Sequence, residues 1–342
     1  MQDIELAPSG SKNISAAKWK SLFRRSSIAP FFVPTLIFVF GFAIGLIEPR
    51  FLSTRNLSNI LVQFSYLAMA ASAQTVVMIA RGIDLSLGGT ISVVSVTVAL
   101  LMTSPIADAV HPALLTSVAI VGGLALGSAV GFFNGIAVAR FGINPVITTL
   151  GSYYVCTGLA ASVSGGRPVF NVPASFSWFL YDGMFLGIKA PIVVAAVICL
   201  VLHFFLANTV WGRSLYLIGS NPRASVVAGI PTRRRLTVAY VLAGILAACC
   251  ALMLSAQTGS GEPSMGANLM LPSIAAAVIG GVSLRGGSGS VAQALSGALL
   301  ATMITNAMNM MRVGGYYQDI SLGIFVVFFV FVYRMTAKDE FR

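Results

Sequence analysis

A carboxylate stands where this sequence offers almost nothing to solvate it. Asp84 lies in Arg81-Gly-Ile-Asp-Leu-Ser-Leu-Gly-Gly89, a glycine-rich break that joins two apolar runs with almost no polar linker. An ionised carboxylate near hydrocarbon is costly unless it is paired or faces water, which makes Asp84 a candidate for carrying a proton or ion, or for touching a passing solute. The same residue also fits a structural cap that ends one helix and starts the next. Ser86 and freed backbone N–H groups can hold it, Arg81 is near enough in sequence to pair with it, and Gly82, Gly88 and Gly89 permit close packing. A polar seam follows at Asn134, Asn144, Pro145, Thr148, Thr149, Gly151 and Ser152, and Gln257, Thr258 and Ser260 form another. Such groups either hydrogen-bond between helices or line a wet passage. A second break, Gly280-Gly-Val-Ser-Leu-Arg-Gly-Gly-Ser-Gly289, echoes the first. Gly280, Gly281, Gly286 and Gly287 suit tight turning and packing; no Gly-Lys-Ser/Thr follows them, so they do not form a phosphate cradle. No Walker A, H-E-x-x-H or G-x-S-x-G pattern occurs, and His111 and His203 stand alone. The expectation is a chain that is not an enzyme, with no metal site and no cofactor of its own.

The longest polar interruption is Trp211 to Arg235, with Arg213, Arg223, Arg233, Arg234 and Arg235 and no acid. The bias of basic residues toward cytoplasmic loops places it inside the cell. Asn221 before Pro222 reads as a helix start, with Gly229 as a stop and Pro231 barring continuation. That short helix is either a docking knob or part of a basic loop that only fixes orientation.

These breaks must be positioned by lipid-soluble helices. The chain has 342 residues, 57% of them hydrophobic and 9% charged, and a mean hydropathy of +0.89, whereas soluble chains carry roughly 25% charged residues. It is an integral membrane protein. At about 20 apolar residues per crossing, the spans fall at 30–47, 59–80, 87–104, 112–138, 145–163, 191–208, 236–257, 271–284, 290–311 and 319–333. The fold class is thus all-α, polytopic, with about ten transmembrane helices and both termini cytoplasmic. Residues 1–29 form an inner tail, 30–335 the membrane domain with the loop 211–235, and 336–342 a second tail. This threading leaves Arg50, Arg55, Arg167, Lys189 and Arg312 outside and the rest of the 21 lysines and arginines inside, as the charge bias requires. The net charge of +11 therefore sets orientation, and nucleic acid is excluded as a partner. Cys156, Cys199, Cys249 and Cys250 all lie in apolar runs and read as small core residues. Ser164 to Ala190, with Phe170, Phe176, Trp178, Phe179 and Tyr181, reads as an outer interfacial stretch, either a lipid anchor or a docking surface.

Gly82-Ile-Asp-Leu-Ser-Leu-Gly88, Gly212-Arg-Ser through Asn221-Pro-Arg-Ala-Ser-Val-Val-Ala-Gly-Ile230, and Ala276-Ala-Val-Ile-Gly-Gly-Val-Ser-Leu-Arg-Gly-Gly287 occur in this order. Over roughly residues 35 to 335 the chain resembles the permease subunits of ribose-type ABC sugar importers. The resemblance implies a type II-like importer permease in the bacterial inner membrane. It implies a second permease copy or paralogue, a cytoplasmic ATPase that binds ATP and Mg2+, and a periplasmic binding protein that delivers a monosaccharide or related polyol. Asn221, Pro222, Arg223, Ala224, Ser225, Gly229 and Ile230 would then be the coupling helix seated on the ATPase. Pro222 and Arg223 stand where relatives often carry acidic or small residues. Gly82, Asp84, Ser86, Gly88, Asn134, Asn144, Thr148 and Gln257 are the candidates for the translocation pathway or its structural breaks. A branched-chain amino acid permease and a cation-coupled secondary sugar carrier are the alternative functions.

Overall fold

The computed structural model describes residues 29–105 and 107–336; the expected terminal tails lie almost wholly outside them. Each expected span is a helix. In chain order these are α1 (Ala29–Ile47), α2 (Thr54–Ile79), α3 (Leu87–Met102), α4 (Pro112–Ala139) and α5 (Pro145–Ser164). After a short helix α6 (Ala174–Ser177) come α7 (Ala190–Asn208), α8 (Val210–Ser220), α9 (Pro222–Val227), α10 (Thr232–Thr258), α11 (Ala267–Ile279), α12 (Val291–Met310) and α13 (Gly315–Thr336). The starts are written locally. Ser53, Asn144, Thr209, Asn221 and Ser290 cap α2, α5, α8, α9 and α12 with a side-chain oxygen, and proline opens α4, α5, α7 and α9. Gly165 and Gly259, both left-handed, end α5 and α10.

A hairpin of two-residue strands, β1 (Met184–Phe185) and β2 (Ile188–Lys189), lies between α6 and α7 of this mostly helical fold. Two expectations are corrected. The polar interruption is narrower than 211–235. Residues 210–220 are helical, and Thr232 already starts α10, so Arg233, Arg234 and Arg235 ride on that helix's first turn. Three adjacent arginines depress hydropathy without breaking a helix, since arginine is a good helix former. The span expected at 271–284 is instead α11, displaced toward the N-terminus.

Among the described residues, α2, α4, α5, α7, α10 and α12 are long and apolar enough to cross a membrane. Helices α3 and α11 are not. Their 16 and 13 residues reach about 24 and 20 Å, short of a hydrocarbon core about 30 Å thick. Non-helical chain at 80–86 and 259–266 leads into them.

Helix α2 is the central post, buried along most of its length. The main core joins it to α3, α4, α7 and α10, while α11 and α12 pack on its other side through Leu67, Ala71 and Met78 against Ala276, Ala294 and Ala298. The tightest crossing is α4 on α10, where Gly123, Gly127, Gly131 and Gly135 face Leu252, Gly244, Tyr240 and Thr237 in antiparallel order. Between lipid-soluble helices the gain comes from dispersion contacts, which small residues maximise by letting backbones touch. On the outer side, Val169 and Gly261 exchange main-chain hydrogen bonds of 2.8 and 2.9 Å, and Val172 N–H donates to Gly259 O.

A Cβ on Gly131 would overlap the carbonyl oxygen of Tyr240, whereas one on Gly122 would meet nothing within 4 Å. Gly131→Ala is expected to destabilise the protein by about 1–3 kcal/mol and Gly122→Ala to leave it unchanged or slightly more stable. Thermal unfolding of the two variants in detergent measures the difference.

Candidate functional site

The chain leaving α2 does not run on into water. Arg81 turns it with φ 68°, and the segment then climbs back beside α2 until Asp84 lies level with Gln74. There the Gln74 amide holds the Asp84 backbone at both ends: Nε2 donates to Asp84 O (2.5 Å) and Oε1 accepts from Asp84 N (3.3 Å). From the other side, Thr149 Oγ1 accepts from Leu85 N (3.0 Å), while its own proton faces Pro145 O (2.8 Å) with Ile83 O farther away (3.3 Å). Gly82 makes the return possible, because a Cβ there would sit 2.6 Å from the Tyr240 hydroxyl.

The side chains form a buried relay. Asp84 Oδ1 accepts from Ser86 N (2.9 Å) and Ser86 Oγ (2.5 Å). Asn134 Nδ2 donates to Ser86 Oγ (2.8 Å), and Asn134 Oδ1 accepts from Ser152 Oγ (2.5 Å). Asp84 is 3% exposed and Ser86 1%. The pairing with Arg81 that their closeness in sequence allows is not formed; Arg50–Glu48 is the ion pair present among the described residues. Helices α2, α4 and α5 and the break that leads into α3 each contribute one or more members of this layer.

Of the pathway candidates, Gly82, Asp84, Ser86 and Asn134 meet here, and Gly88 lies just above at the first turn of α3. Asn144 does not join them: it is exposed, and its Oδ1 accepts from Val146 N (2.9 Å) to cap α5. Thr148 lies on α5 beside the layer, with its hydroxyl buried and unpartnered. Gln257 is exposed at the far end of α10. Gln74 and Tyr240 were not singled out in the sequence, although Gln74 is a strong amide inside an otherwise apolar run.

The segment from Asn221 to Ile230, expected from the sequence to couple to an ATPase, is built as its capping residues suggest. Asn221 Oδ1 accepts from Ala224 N (3.0 Å), Ser225 Oγ donates to Asn221 O (3.0 Å), and Gly229, with φ 75°, lets Ile230 N donate back to Ser225 O (3.0 Å). Ser225 is buried underneath, whereas Arg223, Ala224, Val226 and Val227 face outward, Val227 at 89% exposure. Two bare valines on a six-residue helix form an apolar tip that the arginine count obscured. The guanidinium of Arg235 stacks 3.5 Å from the centre of the Trp211 ring, joining the start of α8 to that of α10.

The two glycine breaks and the end of α8 converge on one spot. Gly287 N donates to Ile79 O (2.9 Å) at the end of α2, and Tyr216 Oη donates to Gly289 O (2.9 Å). A Cβ on Gly286 would lie 2.9 Å from Arg81 Cα, and one on Gly287 2.8 Å from Ser220 Cα. Gly219 packs so closely on Ile79 O and Gly287 N that any side chain would overlap both. Gly280 and Gly281 sit slightly higher, Gly280 directly against Gln293 of α12. Helix α8 is thereby linked through Gly286 and Gly287 to Arg81, three residues before Asp84. In chemical terms, the site offers hydrogen bonds, a buried acid and a mechanical joint; the described residues hold no group of three or more metal-binding side chains.

The family model described as branched-chain amino acid transport system / permease component matches residues 56–333. The chain is similar to the D-allose transport system permease protein of Escherichia coli (29% identity over 90% of this chain and 91% of that protein). It is also similar to the ribose import permease protein of Bacillus subtilis (31%; 87% and 90%) and to the L-arabinose ABC transporter permease protein of Azospirillum brasilense (32%; 94% and 92%). No solved structure matches the chain.

Asp84→Asn preserves an acceptor for Ser86 and is expected to leave stability nearly unchanged. Asp84→Ala leaves the Ser86 N–H and hydroxyl without that acceptor in a buried layer and is expected to cost about 1–3 kcal/mol. The Tm values of the two variants in detergent test the contrast.

Proposed function

The chain belongs to the branched-chain amino acid transport system / permease component family, and from that premise we propose that it is the membrane-spanning subunit of an ATP-driven importer for a monosaccharide or related polyol. The observation that carries the choice of solute is that relatives matching nearly end to end are named for allose, ribose and arabinose. The family description itself keeps a branched-chain amino acid as the second reading. The chain works as a multi-pass transport subunit of the bacterial inner membrane rather than as an enzyme.

In this reading the polypeptide crosses the bilayer ten times with both termini inside, α9 pointing into the cytoplasm. A separate ATPase, binding ATP and Mg2+, receives the Val226–Val227 tip, a second permease chain completes the passage, and a periplasmic binding protein delivers the solute. Support for the docking role comes from the exposure of that tip and from the rigid joint that ties it to Ile79 and Arg81. ATP-driven approach of the ATPase pair would shift α9, and the bundle would then exchange one accessible side for the other. The chain supplies a path and a lever.

Two measurements test this. In reconstituted complete importers, Gly229→Asp or Ala224→Pro is expected to leave the permease inserted and ATP hydrolysis running while solute uptake falls at least tenfold. Wild-type uptake with either change would overturn the coupling assignment. The ligand that copurifies with the partner binding protein decides the solute: a monosaccharide supports the proposal, and a zwitterionic amino acid transfers the chain to the second reading.

A further inference from the structure

The counterpart of the Asp84 break is not the glycine-rich turn at 280–289 that its sequence echoes, but the segment that follows α10. Helix α2 ends and Arg81 turns the chain at φ 68°; helix α10 ends and Gly259 turns it at φ 62°. Three residues after each turn stands an acid, Asp84 and Glu262. Two further on is a serine, Ser86 and Ser264, and two beyond that a glycine, Gly88 and Gly266. The next helices carry the relation onward. Asn134, Arg140, Gly142 and then Thr149-Leu-Gly151 recur with unchanged spacing as Asn306, Arg312, Gly314 and Ser321-Leu-Gly323. Helices α2 to α5 are thus repeated as α10 to α13.

The repeat is inverted. Helix α2 ends beside α8, on the side of the coupling helix, whereas α10 starts there and ends on the opposite side. The antiparallel contact of α4 with α10 has its counterpart in α12 with α2, where Asn306 and Asn56 exchange hydrogen bonds of 2.9 and 3.2 Å. The axis relating the halves passes where α3 and α11 begin: a Cβ on Gly88 would lie 2.8 Å from Gly266 O, and one on Gly266 would overlap the Gly88 carbonyl. Two shortened helices therefore start back to back, each reached by non-helical chain entering from its own side, the arrangement in which inverted repeats build alternating access.

The two arms differ in one respect. In the first, Asp84, Ser86 and Thr90 are all buried beneath Asn134, Thr149 and Ser152. In the second, Ser264 and Asn268, the positions equivalent to Ser86 and Thr90, are exposed, and Glu262 is half-buried. The second arm is held along its inner edge, where Ser95 Oγ accepts from Glu262 N (3.1 Å) and Ser92 Oγ from Gly266 N (3.2 Å), and at its start by the pairing of Gly261 with Val169.

We propose that the two arms are the inner and outer gates of one device, with Glu262 and Ser264 serving the outer gate as Asp84 and Ser86 serve the inner one. The structure is the state with the inner gate shut and the outer gate open; transport exchanges the two arms about the Gly88–Gly266 contact. The inference rests on the importer reading and adds to it the residues that seal each side. Because the halves share one architecture, each can adopt the packing now seen in the other, and differential binding of ATP and solute need supply only a modest bias between the two states.

Cysteines placed singly at Ser86, Ser264, Thr90 and Asn268 in the complete importer, reconstituted in vesicles, test this with a membrane-impermeant maleimide applied to either face. Reaction is measured against the unsubstituted chain. Without nucleotide, Ser264→Cys and Asn268→Cys are expected to react from the outer face at least tenfold faster than Ser86→Cys and Thr90→Cys react from either. After trapping with ATP and vanadate, the outer pair should slow at least tenfold and the inner pair gain reactivity from the inner face. The Thr90 and Asn268 pair keeps the test decisive if Ser86→Cys fails to fold. Vesicles that import solute while all four rates stay constant overturn the gates and leave the importer reading intact. Rates that switch with ATP in vesicles importing no monosaccharide support the gates and overturn the sugar assignment.

Discussion

Backbone that leaves a helix inside hydrocarbon has no water to bond with, so each freed N–H and C=O must find a partner within the protein or cost several kcal/mol. The segment from Gly82 to Ser86 meets this requirement with three side chains. Gln74 serves Asp84 at both ends, Thr149 serves Leu85, and Asp84 serves Ser86. Everything around that segment follows. Helix α2 must bring a glutamine to the right height, α5 must begin close enough to present its second turn, and α4 must approach until Asn134 reaches Ser86. The glycines of α4 allow that approach, because any side chain there would hold α10, and Tyr240 with it, away from Gly82.

Main-chain contact is the material of both the passage and its drive. Helices that touch through Cα atoms can slide only in steps that keep their bonds, which favours a few discrete arrangements over continuous deformation. The joint formed by Ile79, Arg81, Gly219, Ser220, Gly286 and Gly287 is of the same kind. It connects α8 to both glycine breaks mainly through backbone contacts, with the Tyr216 hydroxyl adding one bond to Gly289 O.

Much of this was legible in the sequence. Apolar run length located the helices, because the bilayer imposes a length that composition must satisfy, and Asn221 with Gly229 bracketed α9, because capping chemistry is local. The breaks at Asp84 and at Gly286 were visible as glycine clusters. What stayed hidden depends on contacts between distant segments. Gln74 is an isolated amide until the chain folds back beside it, and Asn144 belongs with Asn134 by spacing but caps a helix in space. The helical start at Arg233 to Arg235 was masked by charge, and the apolar Val226–Val227 tip by the arginines around it. The echo between Gly82–Gly88 and Gly281–Gly287 drew attention to glycine pairs, whereas the spatial counterpart carries its likeness in the order acid, serine, glycine.

At the end of the bundle away from α9, the pairing of Val169 with Gly261, extended by Val172 to Gly259, joins the aromatic stretch to the arm that carries Glu262. The exposed rings of Trp178, Phe179 and Phe185 therefore belong to a segment whose backbone is bonded directly to that arm, so the two cannot part without breaking main-chain hydrogen bonds.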